Sequence, residues 1–163
     1  MKVFIKIFST GGTIDKVYFD AKSTYEVGPP NIETIFNELS LGFDYEVVSL
    51  MKKDSLDLTA RDRTVIFEAV ERDRADKIII THGTDTMVET AHKLSGIRGK
   101  TIVMTGALKP ALFKTTDAVF NIGGAVAAVQ ALNSGVYIVM NGRIFPHDNV
   151  KKDVRSGKFE AVK

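Results

Sequence analysis

Five short runs constrain the fold more than anything else in the chain: "VFIKIF" (3–8), "YEVVSL" (45–50), "KIIIT" (77–81), "TIVMT" (101–105) and "VYIVM" (136–140). They are rich in β-branched residues, and several are too continuously apolar to have a wet face. A parallel sheet covered on both sides requires strands of that kind. Helical patterns lie between them. Ile32, Ile35, Phe36 and Leu39 share one face of a helix that enters at Asn31 and leaves before Gly42. Thr59 and Asp62 have the spacing of a capping box, with Val65, Ile66, Ala69 and Val70 as the stripe behind it. Met87, Ala91 and Leu94 line a third helix that stops near Gly96, and "AVFNIGGAVAAVQAL" (118–132) is apolar almost all round. A helix of the last kind is buried on several sides, with a second subunit as one possible cover.

The alternation predicts a doubly wound α/β sheet, mainly parallel, of flavodoxin-like order, with helices on both faces. At 163 residues one domain spanning 1–163 is expected. No solenoid repeat or interior linker interrupts it, and a more polar, irregular tail runs from Arg143. A net charge of +2 with interleaved signs gives no basic tract for nucleic acid and no membrane patch. The lack of cysteine excludes disulfides, thiolate metal sites and cysteine nucleophiles. The apolar opening run is too short for a signal-peptide core or a membrane span, so a cytoplasmic setting is expected.

In open α/β sheets ligands bind beyond the carboxyl ends of the strands. There the sequence places Thr10-Gly11-Gly12-Thr13, His82-Gly83-Thr84-Asp85, Gly106-Ala107 and Asn141-Gly142. Glycines such as Gly12 and Gly83 let backbone approach a ligand, and hydroxyls direct donors and acceptors at it. Plainer duties compete. Thr13 would cap a turn, and Thr84 would cap the helix carrying Met87, with Asp85 complementing its dipole. His82 reads as a hydrogen-bonded structural group, because no second ligand stands at metal-binding spacing. Neither a dinucleotide nor a P-loop fingerprint occurs.

The segments "STGGTIDK" and "THGTDTMVET" resemble the two signatures of the bacterial-type L-asparaginase family, N-terminal domain. "STYEVG" (23–28) is similar to the family's mobile flap, "KDSLDLT" (53–59) to its carboxylate-gripping segment, and "DNVKKDV" (148–154) to its catalytic-lysine segment. "TGALKP" (105–110) and "TTDAVFNIGGAVAAVQ" (115–130) resemble the strand and helix that close the pocket. The resemblance implies hydrolysis of a small side-chain amide through a threonine acyl-enzyme. It casts Thr13 as nucleophile, Tyr25 as the flap tyrosine, and Thr84, Asp85 and Lys152 as a hydrogen-bonded activating group. Ser55 and Asp85 would hold the substrate's α-carboxylate and α-ammonium, and backbone around Gly12, Gly83 and Ala107 would line the site and steady the oxyanion. No metal or organic cofactor is implied, and the family's habit implies a homodimer or larger assembly.

Two residues depart from the pattern: Leu56 where a polar residue is usual, and Ala118 in place of a glycine. Family members are also about twice as long, with a second α/β domain that lends an acidic residue to a neighbouring subunit's site. Read without the resemblance, Lys152 is a solvated lysine, Tyr25 a surface aromatic and Ser55 a turn residue. Two other functions therefore stand beside the amidohydrolase: a non-catalytic small amino-acid-binding or regulatory module that retains the pocket, and the glutaminase-like part of an amidotransferase acting on aminoacylated RNA. The near-neutral charge opposes direct RNA contact.

Overall fold

The computed structural model describes residues 1–163. Its elements in chain order are strand β1 (Val3–Gly11), the hairpin β2 (Lys16–Phe19) and β3 (Thr24–Val27), helix α1 (Asn31–Asn37) and strand β4 (Phe43–Lys53). Then come α2 (Ala60–Arg72), β5 (Lys77–Thr81), α3 (Met87–Leu94), β6 (Thr101–Thr105), α4 (Ala118–Ala131) and β7 (Gly135–Met140). The chain ends through β8 (Arg143–Pro146), β9 (Lys151–Lys152) and β10 (Phe159–Glu160).

Six strands form one sheet in the order β4-β1-β5-β6-β7-β8. The first five are parallel, and β8 pairs antiparallel on β7. Among the parallel strands this is the flavodoxin-like order expected, with the topological switch between β1 and β5. The reason for the continuous apolar runs is visible in the packing, because alternate residues of each inner strand enter different cores. Ile78 and Ile80 of β5 pack with Ile66 and Val70 of α2 and Met87, Ala91 and Leu94 of α3. Ile79 faces the other way, to Ile32 and Phe36 of α1 and Ile122, Ala125 and Val129 of α4. Helices therefore cover both faces, two on each.

The helix faces are narrower than the periodicity suggested. Leu39 is exposed because α1 ends at Asn37, and Val65 lies on the solvent side of α2. The capping box is present: Thr59 Oγ1 accepts from Asp62 N–H at 3.2 Å, and Asp62 Oδ2 accepts from Thr59 N–H at 2.8 Å. Helix α4 buries Ala118, Asn121 and Ile122 but leaves Val119 and Phe120 exposed, so the sheet covers one side of it only. The polar tail is not a loose appendage. Ile144 points out while Phe145 is buried, a period-two pattern that turns this segment into an edge strand. Val150 and Phe159 complete the α2–α3 core.

Candidate active site

Strands β1 and β5 are neighbours in register, Ser9 beside Thr81, so their following loops leave the sheet side by side. The first threonine of "TGGT" is spent on this junction: Thr10 Oγ1 donates to the Thr81 carbonyl at 2.9 Å. The loops then touch backbone to backbone. A Cβ at Gly12 (φ 89°) would lie 2.5 Å from Gly83 Cα, and one at Gly83 would lie 2.6 Å from Ser55 Cβ. At Gly106 a Cβ would collide with the His82 carbonyl. Glycine is needed at these positions because the chain ends of β1, β5 and β6 and the turn at Ser55 converge. Gly12 N–H also donates to the Lys53 carbonyl at 2.9 Å, pinning the first loop to the end of β4.

On this frame Thr13 opens a 3-10 turn, Thr13–Asp15, and is partly exposed; no side chain caps that turn. Thr84 is not a helix cap either, since the N-cap of α3 is Thr86. Instead Thr84 Oγ1 accepts a hydrogen bond from Lys152 Nζ at 2.8 Å, and the same nitrogen donates to Asp85 Oδ1 at 2.7 Å. Lys152 reaches them from β9, which is 67 residues away from Asp85 in the chain. Beside the pair opens a cleft of about 470 Å³, walled by Leu56, Val88, Val150 and Val154.

The remaining site residues are placed less directly. Ser55 is buried, and its Oγ accepts from Thr86 N–H at 3.3 Å while Thr86 Oγ1 donates to the Ser55 carbonyl at 2.8 Å. Its duty in the fold is thus to tie the turn to α3. Tyr25 sits on the exposed hairpin, its ring edge-on to Tyr18 and Phe113 at centroid distances of 5.4 and 5.7 Å. It is held by aromatic packing and not by a bond to Thr13. Ala107 is buried in the loop after β6. That loop is braced by Asp117, which accepts from Leu108 and Lys109 N–H at 3.0 and 3.1 Å, and by Asn121, which donates to the Gly106 carbonyl at 2.9 Å.

His82 has the structural role that its sequence suggested. Its Nδ1–H donates to the Gly83 carbonyl at 2.6 Å, and its Nε2 lies 2.8 Å from Thr90 Oγ1, which accepts from Arg63 Nε at 3.1 Å. Burial, with a smaller push from the Arg63 charge, outweighs the bond to Gly83 and holds the imidazole down to about 4, so it is neutral at ordinary pH. The relay Arg63–Thr90–His82 fixes the peptide that precedes Thr84. Sequence reasoning missed Thr90, Arg63, Asp117 and Asn121 as supports.

Two threonine-bearing loops thus leave the switch point of a two-sided α/β sheet together, one of them tied to a lysine–aspartate pair. Residues 4–163 match the family described as asparaginase, N-terminal, and the chain belongs to that family. It is 34% identical to L-asparaginase 2 of Escherichia coli, covering 91% of this chain and 46% of that protein. With L-asparaginase 2 of Bacillus subtilis the identity is 30%, over 86% of this chain and 41% of that protein. Among solved structures, L-asparaginase I from Vibrio cholerae superposes with a TM-score of 0.82 at 26% identity, covering 99% of this chain and 52% of that one. The thermostable L-asparaginase from Thermococcus kodakarensis gives a TM-score of 0.86 at 24% identity, over 98% and 51%. The chain spans about half the length of the curated relatives it matches.

Proposed function

We propose that this chain carries the catalytic half of an amidohydrolase acting on asparagine or a related small amide. The observation that carries the reading is the pair of hydrogen bonds that Lys152 Nζ donates to Thr84 Oγ1 and Asp85 Oδ1, set beside the Thr13 turn by the Gly12–Gly83 contact. Thr13 Oγ attacks the amide carbon. Its proton passes through the Thr84–Lys152 group to the departing nitrogen, the C–N bond breaks, and ammonia leaves. Water then adds to the threonine ester, releasing the carboxylic acid and restoring the hydroxyl. Backbone N–H groups around Thr13 and Ala107 steady the oxyanion of both steps. Asp85, with one oxygen engaged by Lys152 and its side chain 43% exposed, has the other oxygen for a substrate ammonium.

Ammonia release from a panel of small amides tests this. Thr13→Ala is expected to abolish turnover, and Lys152→Met to lower kcat by about 10²–10⁴-fold. Wild-type turnover no greater than that of Thr13→Ala would overturn it. Leu56, 71% exposed at the cleft, favours a second reading in which the pocket binds an amino acid without cleaving it. Calorimetry showing saturable asparagine binding, with no ammonia released, would select that one.

A further inference from the structure

Asp15 is the buried acid that neither the fold nor the reaction has so far used. It is 1% exposed and closes the 3-10 turn that Thr13 opens, its N–H donating to the Gly12 carbonyl at 3.1 Å. Its carboxylate accepts twice, from Ser9 Oγ at 3.0 Å and from Asn31 N–H at 2.8 Å. Its carbonyl accepts from Gly28 N–H at 2.8 Å, where the hairpin returns to the body of the protein. Asn31 Nδ2 adds a bond to the Ile14 carbonyl at 3.3 Å, and Ala111 N–H another at 3.0 Å.

We propose that Asp15 is a positioning residue: its carboxylate fastens the Thr13 turn to β1 and α1, and its carbonyl closes the base of the Tyr25 hairpin. Three segments that the sheet does not connect are joined here at one residue. They are the nucleophile turn, the hairpin spanning Lys16–Val27 and the start of α1. No lysine or arginine compensates the charge; a hydroxyl and backbone N–H are its partners. Burying an unpaired carboxylate is unfavourable, and burial pushes this one up to about 6. A site that kept only the fold would do better with an apolar side chain. What the carboxylate supplies is acceptance from two donors at once, which neither alanine nor leucine offers.

The kinetic arm of the test rests on the amidohydrolase reading; the hydrogen-exchange arm does not. In Asp15→Ala, amide exchange in peptides covering 16–28 is expected to rise at least about tenfold, with β5, β6 and β7 unchanged. Turnover is expected to fall in kcat by roughly 10–100-fold with KM within about threefold, the signature of a misplaced nucleophile. Asp15→Asn, which keeps one acceptor oxygen, is expected to restore most of both. If Asp15→Ala does not fold, Ser9→Ala removes one bond from outside and is expected to give the same pattern, weaker. Hairpin exchange like wild type in these variants overturns the proposal, as does a rise spread evenly over the sheet. Wild-type inactivity would sink the amidohydrolase reading instead and leave the exchange result to decide whether Asp15 positions the turn and hairpin.

Discussion

Two buried groups near the site pull stability in opposite directions with pH. Asp15 has its carboxyl raised to about 6 by burial. Its contribution to stability is therefore fully present below the unfolded value of 3.8 and lost as pH rises through about 6. His82 is lowered to about 4, so its contribution is present above its ordinary 6.5 and lost as pH falls through about 4. Between about 4 and 6 the two slopes offset each other. Asp15→Asn is expected to unmask the histidine, giving stability that drops by up to roughly 3 kcal/mol on acidification. His82→Gln is expected to unmask the carboxylate, with stability dropping as pH rises over the same interval. Urea unfolding across a pH series measures both; an Asp15→Asn profile parallel to wild type would contradict the account. Neither buried group was assigned such a role by motif alone, because burial depends on neighbours far along the chain.

Among the elements, the loops matter through their backbones. Gly12 and Gly99 both have positive φ, 89° and 73°, but a Cβ at Gly99 meets nothing within 4 Å, whereas one at Gly12 strikes Gly83. Gly99→Ala should cost about 1–2 kcal/mol and leave activity alone. Gly12→Ala should cost more and lower kcat by about 100-fold, since separating the two threonine loops by an ångström misplaces the reacting groups. Equal effects on thermal unfolding and on ammonia release would contradict the convergence of loops. The strands were legible because runs such as "KIIIT" are β-branched and too short for a helix, and the capping box at Thr59 named the start of α2 correctly. The hairpin β2–β3 was not legible as strand. "KVYFDAKSTYEV" alternates weakly and packs on no core, so nothing in its hydrophobicity marks it. The tail misled for a related reason: only Phe145, Val150 and Phe159 are buried there, and three residues set no period. Of the candidate site, Thr13, Thr84 and Asp85 could be found from strand ends. Lys152 needed the resemblance, since a lysine beside another lysine carries no local sign of its target.

On the scale of the whole molecule, an apolar surface beside α4 stays uncovered. Val119 and Phe120 of α4 and Ile144 of β8 border a groove of about 640 Å³. Such patches on soluble proteins mark association, and we expect a second copy of the chain to cover this one. Light scattering should report a dimer or larger, and Phe120→Lys should shift it to monomer; a wild-type monomer at working concentration would contradict this. The proposed chemistry turns on the hydroxyl after β1 forming a bond to carbon on a frame shared with the hydroxyl after β5. Mass spectrometry of acid-quenched mixtures with asparagine reads that bond itself. An aspartyl adduct is expected on the peptide containing Thr13, absent in Thr13→Ala. Turnover with the adduct on another residue, or turnover undiminished in Thr13→Ala, would contradict it.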